Sequence, residues 1–236
     1  SYRNPFGPPV LQVASNEADW LLNLNKDEKL TFFAEFNNQK SSASNIQTKV
    51  IGQDPTLEPI VIMTPKSGWW TCTSERGGGI TIWLNAIRYF SENPPLRTII
   101  FTANTGHELS HLGLDHFLEN NPSLVQDAYL WFHLGANFAA KDGSVLLQTS
   151  TQDYMNLTMK QFKKENIEGT QSWPISERPL GEARNIFDGG GEYISLLGTN
   201  PLFHNPDDLW PHSIDIEKLE KLNNAMLKII NDIANS

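Results

Sequence analysis

The run His107-Glu108-Leu109-Ser110-His111 has the spacing at which two imidazoles on one helix face bind zinc while the glutamate between them activates water. Such a centre needs a further protein ligand. Gly113 and His116 approach the longer form of the pattern, but each falls one residue early, and Glu119 is too close for the other variant. The apolar run Arg97–Ala103 ends just before His107, which sets that histidine at a helix start rather than inside a helix. An HExxH metalloprotease therefore stands as an alternative only.

A second chemical stretch is Ser67-Gly68-Trp69-Trp70-Thr71-Cys72-Thr73-Ser74-Glu75-Arg76, which joins two indoles, a thiol, hydroxyls and an acid–base pair. Neighbouring residues of extended chain point to opposite sides, so one of Trp69 and Trp70 is expected in the core and the other along a pocket. Arg76, ahead of Gly77–Gly79, suits a carboxylate or other anion at a helix start; the plainer alternative is an ion pair with Glu75 or Glu108. His107 suits general acid–base work because its ordinary pKa lies near neutrality, against pairing with a nearby carboxylate. Cys72 is a nucleophile if His107 activates it and otherwise a small buried hydrophobe. His111 and His116 are expected to pack away from any site, and His212 to lie in a loop.

These residues need a frame. Strands are expected at Val10–Val13, Leu30–Phe36, Asn45–Ile51, Ile60–Met63, Arg97–Ala103, Tyr129–Leu134, Ser144–Thr149 and Glu192–Leu197, from short apolar or β-branched runs bounded by turn residues. Helical spacing marks Asn16–Leu24, Ile80–Phe90, Glu108–Glu119 and Ile214–Ile233. Strands alternating with helices predict an α/β fold, a three-layer α/β/α sandwich on a mostly parallel mixed sheet, as one domain over 1–236. Ligands then bind beyond the carboxyl ends of the strands. That selects Thr64–Gly79, Asn104–His111, His133–Asn137 and Leu202–Asp208.

Read as strand, turn and helix, Thr98-Ile99-Ile100-Phe101-Thr102-Ala103-Asn104-Thr105-Gly106-His107-Glu108, continued by Leu112-Gly113, resembles the two-zinc aminopeptidases that also include the glutaminyl cyclases. Asn45-Ile46 with Gly52-Gln53-Asp54, and Phe203-His204-Asn205-Pro206-Asp207-Asp208 followed by Ile214-Asp215, resemble further landmarks of that family in the same order. The likeness runs from about Pro9 to Ala234. It implies a zinc-exopeptidase-like fold and an altered metal site. The first His-Asp pair falls near Thr64–Ser67 and is missing, the bridging acid falls near Glu75, and the general-base glutamate becomes His107. Glu108 keeps a metal-ligand position, His133 replaces an acidic ligand, and His204 matches the last histidine. A two-zinc cluster is not expected; one zinc on Glu108, His133 and His204 is the remaining metal reading, with His107 and Glu108 as catalytic residues and Trp69, Trp70, Glu75 and Arg76 around the substrate.

The net charge of −9 argues against nucleic acid or an anionic membrane as partner, and no apolar run reaches bilayer length. One cysteine excludes an internal disulfide. The expected partner is a peptide or small molecule. Two functions stay open: an aminopeptidase-like hydrolase of amide or ester bonds with an altered or single-metal site, and an inactive module of the same fold that binds such a ligand.

Overall fold

The computed structural model describes residues 11, 13–33, 35, 37 and 39–236. Where the sequence reading runs one domain from 1 to 236, the chain clusters as two compact units, Ser1–Ser42 and Ala43–Ser236. The first carries a single 3₁₀ turn, Ser15–Glu17, running into helix α1 (Ala18–Leu22) among its described residues. Of the strand expected at Val10–Val13, Val10 and Gln12 lie outside the described residues, and Leu11 and Val13 are not in a strand. That expected at Leu30–Phe36 is absent over Leu30–Phe33.

The second unit is built on seven strands: β1 (Ile46–Val50), β2 (Ile60–Pro65), β3 (Ile99–Asn104), β4 (Leu130–Leu134), β5 (Val145–Thr149), β6 (Gln171–Ser172) and β7 (Tyr193–Gly198). Their order is β1-β3-β2-β4-β7-β5-β6. The central β3, β2, β4 and β7 are parallel, β1 and β5 join antiparallel, and β6 pairs parallel with β5. The helices are α2 (Thr73–Glu92), α3 (Leu112–Glu119), α4 (Leu124–Asp127), α5 (Gln152–Lys164), α6 (Ala183–Asp188) and α7 (Ile216–Ala234).

Strand β2 explains the layering. All six of its residues are buried, as a strand covered on both faces requires. Ile60 and Ile62 join the core formed with α2, α5 and α7, through Ile82, Trp83, Phe162, Leu222 and Met226. Val61 and Met63 join the opposite core, with Leu114 and Phe117 of α3, Val125 of α4 and Ile186 of α6. The alternation of period two thus sorts the strand between two helical layers. This is the α/β sandwich expected from the sequence.

Helix α2 begins seven residues before the expected Ile80, so Gly77–Gly79 lie inside it rather than ahead of it. Two forces allow this. A Cβ on Gly79 would stand 2.6 Å from the Leu134 carbonyl oxygen and 2.7 Å from Thr64 Oγ1, so only glycine lets the helix close onto β2 and β4. The helix start is capped from afar: Asp208 accepts from Ser74 N at 2.8 Å, Ser74 Oγ at 2.7 Å and Glu75 N at 3.0 Å. A carboxylate there satisfies orphan amides and meets the positive end of the helix. Burial works to raise the Asp208 pKa, but donation from Ser213, Ser74 and Glu75 holds it below the ordinary value.

Candidate functional site

Three crossover loops meet at the carboxyl ends of the parallel strands: the one after β2 up to α2, the one after β3 up to α3, and the one between β7 and α7. Ser67 ties the first two together. Its carbonyl oxygen accepts from Arg76 Nε at 2.7 Å and its hydroxyl accepts from the His107 backbone N–H at 3.1 Å.

Arg76 is the hub. Its Nη2 lies 2.8 Å from Glu75 Oε1 and 2.9 Å from Glu108 Oε1. His204 Nε2 stands 3.5 and 3.6 Å from the same two oxygens. Both side chains of the Glu75–Arg76 pair are buried, while Glu108 and His204 face the opening. The Arg76–Glu75 approach is ionic without hydrogen-bond geometry: Glu75 Oε1 and Oε2 and Arg76 Nη1 have no hydrogen-bond partner among the described residues. Burial pushes the Glu75 pKa up, and Arg76 and His204 only partly offset it. Around the opening, Trp69 and Trp70 are 48% and 64% exposed, their rings 6.1 Å apart, and Trp69 meets the His204 ring edge-on at 6.1 Å. Phe203 stacks on His204 at 3.9 Å. Neither indole is core, contrary to expectation, because the loop is not extended there: Trp70 takes a φ of 50° and Cys72 one of 40°.

The second constellation lies deeper. His107 Nδ1 meets Glu182 Oε1 at 2.6 Å, and the other oxygen of Glu182 meets His133 Nε2 at 3.1 Å. His133 Nδ1 contacts Ser195 Oγ at 2.8 Å. Burial works to raise the Glu182 pKa, yet the bonds from His107 and His133 hold it well below the ordinary value. His111 stacks on His107 at 5.0 Å, with Nδ1 on Asn185 and Nε2 on the Arg184 guanidinium. Burial lowers the His111 pKa. His107 Nε2 has no hydrogen-bond partner among the described residues.

The sequence readings fare unevenly against this geometry. Glu108 and His204 come together, and Glu75 joins them. His133 does not: it is fully buried and turned to Glu182 and Ser195, since strand alternation sends it to the sheet face that α6 covers. The expectation that His111 packs away from the site fails, because it is buried beside His107. His116 does stand apart, with its ring nitrogen near Asn120. The helix expected from Glu108 starts only at Leu112, after a 3₁₀ turn at His107–Leu109 and two left-handed residues, Ser110 and His111. The two histidines of the HExxH pattern are therefore not on one helix face. The Cys72 thiol is partly buried, and burial followed by the Glu75 charge raises its pKa, which disfavours the thiolate a nucleophile needs. Glu182 is not among the residues the sequence singles out; its one signal is an acid directly before the short helix α6, in Leu180-Gly181-Glu182-Ala183.

Two groups of donors could hold a metal ion among the described residues: Glu75, Glu108 and His204, and His107, His111 and Glu182. Both groups are already tied by contacts that a metal would have to displace. In the first, the Arg76 guanidinium is already ion-paired with both carboxylates, and each added unit of positive charge 4 Å from it costs about 4 kcal/mol at an effective dielectric of 20. In the second, a 2.6 Å contact is a hydrogen bond, shorter than two zinc ligands stand apart, and His111 has both nitrogens engaged.

The architecture matches known structures over most of the chain. BSAP, a zinc aminopeptidase from Bacillus subtilis, superposes with a TM-score of 0.69 at 15% identity, covering 81% of this chain and 50% of that one. The chain has the zinc-aminopeptidase fold. An aminopeptidase from Aneurinibacillus sp. strain AM-1 gives 0.66 at 14% identity, with 81% and 48% covered. LapB from Legionella pneumophila gives 0.64 at 18%, with 81% and 56% covered. The chain thus spans about half the length of these aminopeptidase-fold structures. No protein-family model and no curated protein sequence matches it.

Proposed function

We propose that this chain is a divergent aminopeptidase-like hydrolase of amide or ester bonds in which the Arg76 guanidinium supplies the positive charge of the site. The observation that carries the reading is the His107–Glu182 contact of 2.6 Å, on a residue whose backbone N–H bonds the same Ser67 that holds Arg76. An imidazole held at Nδ1 by a buried carboxylate and bare at Nε2 is equipped to take a proton. Nε2 accepts a proton from water as the water oxygen bonds to the substrate carbonyl carbon. The negative charge that develops on the carbonyl oxygen is offset by the positive charge of Arg76. Collapse of the tetrahedral adduct expels the amine or alcohol, which takes the proton back from His107. The exposed Trp69, Trp70 and Phe203 supply an apolar or aromatic subsite.

The test is hydrolysis of a panel of aminoacyl anilides, short peptides and esters by the purified full chain, with zinc content measured in parallel. Activity that survives chelation and falls by about 100-fold or more in His107→Ala supports the reading. Activity lost on chelation, with bound zinc restored together with it, overturns it. A second reading is favoured by the internal neutralisation of Glu75 and Glu108 by Arg76: a module that binds a peptide or small ligand without turnover. Ligand binding lost in Trp69→Ala, with no hydrolysis of any panel member, selects it.

A further inference from the structure

The backbone amide of Leu180 can only donate, and it donates to Gln148 Oε1 at 2.7 Å. That fixes the Gln148 amide, whose Nε2 must donate on its other side, where Ser195 Oγ lies at 3.0 Å. With one N–H arriving, the Ser195 hydroxyl has its own hydrogen available for His133 Nδ1, 2.8 Å away. A neutral His133 that accepts at Nδ1 carries its hydrogen on Nε2, where it meets Glu182 Oε2 at 3.1 Å. The remaining oxygen of Glu182 receives the Nδ1–H of His107.

We infer that Gln148, Ser195 and His133 form a one-way donor chain, anchored at the Leu180 amide, that holds Glu182 so that His107 carries its proton on Nδ1 and presents a bare Nε2 to the crevice. The inference rests on His107 serving as the base. These residues act through His107 and are positioning residues. Their alignment is built into the sheet, since His133 of β4 and Gln148 of β5 both pair in register with Ser195 of β7. All three are fully buried and Glu182 nearly so, so water does not compete for the bonds and each donor counts. Two glycines leave room for the His133 ring. A Cβ on Gly135 would come within 2.7 Å of its Cε1, and one on Gly181 within 2.8 Å. Gly181 moreover has a φ of 63°, a conformation glycine adopts without strain.

The experiment is a long-range proton–nitrogen correlation spectrum of the full chain labelled with ¹⁵N-histidine, recorded above the ordinary histidine range of about pH 6.5. The expected wild-type pattern is His133 protonated at Nε2 and His107 protonated at Nδ1. Gln148→Glu is nearly isosteric but puts an acceptor where the amide donated. It draws the Ser195 hydrogen away, so His133 gains a proton at Nδ1 and the Nδ1–H form of His107 falls from the major to the minor species. Glu182→Gln, which leaves the Leu180 anchor intact, releases His107 in the same direction. A wild-type His107 protonated at Nε2 overturns the inference without any variant, and so does a His107 unmoved by Gln148→Glu while His133 changes. Expected tautomers in a chain that hydrolyses nothing would support the donor chain and remove only the base reading. An active enzyme with reversed tautomers would remove the chain and leave the base reading.

Discussion

Glu75 and Glu182 are buried to the same degree, at 1% and 2% exposure, and both face cations or imidazoles in one crevice, yet they are shifted in opposite directions. Glu182 is driven down because each oxygen receives a ring N–H, from His107 and from His133. Glu75 is driven up because its oxygens have an ionic neighbour in Arg76 but no hydrogen bond. Burial penalises both charges; directed bonds decide the outcome. The contrast separates two tasks. A saturated carboxylate fixes the rings around it, whereas an under-satisfied one stays receptive to a proton.

The largest effect should follow removal of the shared cation. Arg76→Ala leaves Glu75 buried and facing Glu108 uncompensated, and breaking a buried pair from one side costs about 3–5 kcal/mol. Urea unfolding at neutral pH should show that loss, and a loss under about 1 kcal/mol would mean that Arg76 is not the hub. The same variant should take up zinc through Glu75, Glu108 and His204, and be stabilised by it, where the wild-type chain is not.

Glu182→Gln comes next, at about 2 kcal/mol, because a neutral amide replaces hydrogen bonds to a charged acceptor and can accept from only one imidazole. Its pH dependence has a definite sign. The folded pKa of Glu182 lies below its ordinary 4.5, so its stabilisation is complete above that value and is lost as pH falls through the folded pKa. The wild-type chain should therefore weaken steeply below about pH 4.5 in acid unfolding, and Glu182→Gln should show a shallower slope there. Equal slopes would mean that the two histidines do not hold this carboxylate.

Much of the frame could be read from the residues. The continuous apolar runs Ile60–Met63 and Tyr129–Leu134 announce buried parallel strands, and the period of Ile216, Leu219, Leu222 and Met226 announces α7. The start of α2 was hidden because Thr73–Gly79 has no apolar period and its cap, Asp208, lies 134 residues from Ser74. Helix α5 is absent from the expected elements although Thr151 caps it from the N-terminal side and Met155, Thr158 and Phe162 form a buried stripe. In the site, Glu108 and His204 were legible through the landmarks around them. Glu182 was not, since nothing in a polar loop says that an acid will meet histidines 75 and 49 residues away. His133 was legible as a chemical residue but not as an internal one, because only the sheet register decides which face it occupies.

The smallest effect should come from Glu75→Gln, and its sign is what tests the comparison. The folded pKa of Glu75 lies above its ordinary 4.5, so the neutral carboxyl is the form the fold prefers. Its contribution is most favourable below that value and is lost as pH rises through the folded pKa. Glutamine imitates the neutral form, so at neutral pH the variant should match or exceed the wild type, by no more than about 1 kcal/mol. Arg76 retains Glu108 as a partner at 2.9 Å, which prevents the full penalty of a stranded guanidinium. Calorimetric unfolding at about pH 5 and pH 8 separates the possibilities: the gap between variant and wild type should move in the variant's favour as pH rises. A loss of about 2 kcal/mol or more at both pH values would make Glu75 a bonded structural acid like Glu182, and the division between a saturated and a receptive carboxylate would fail.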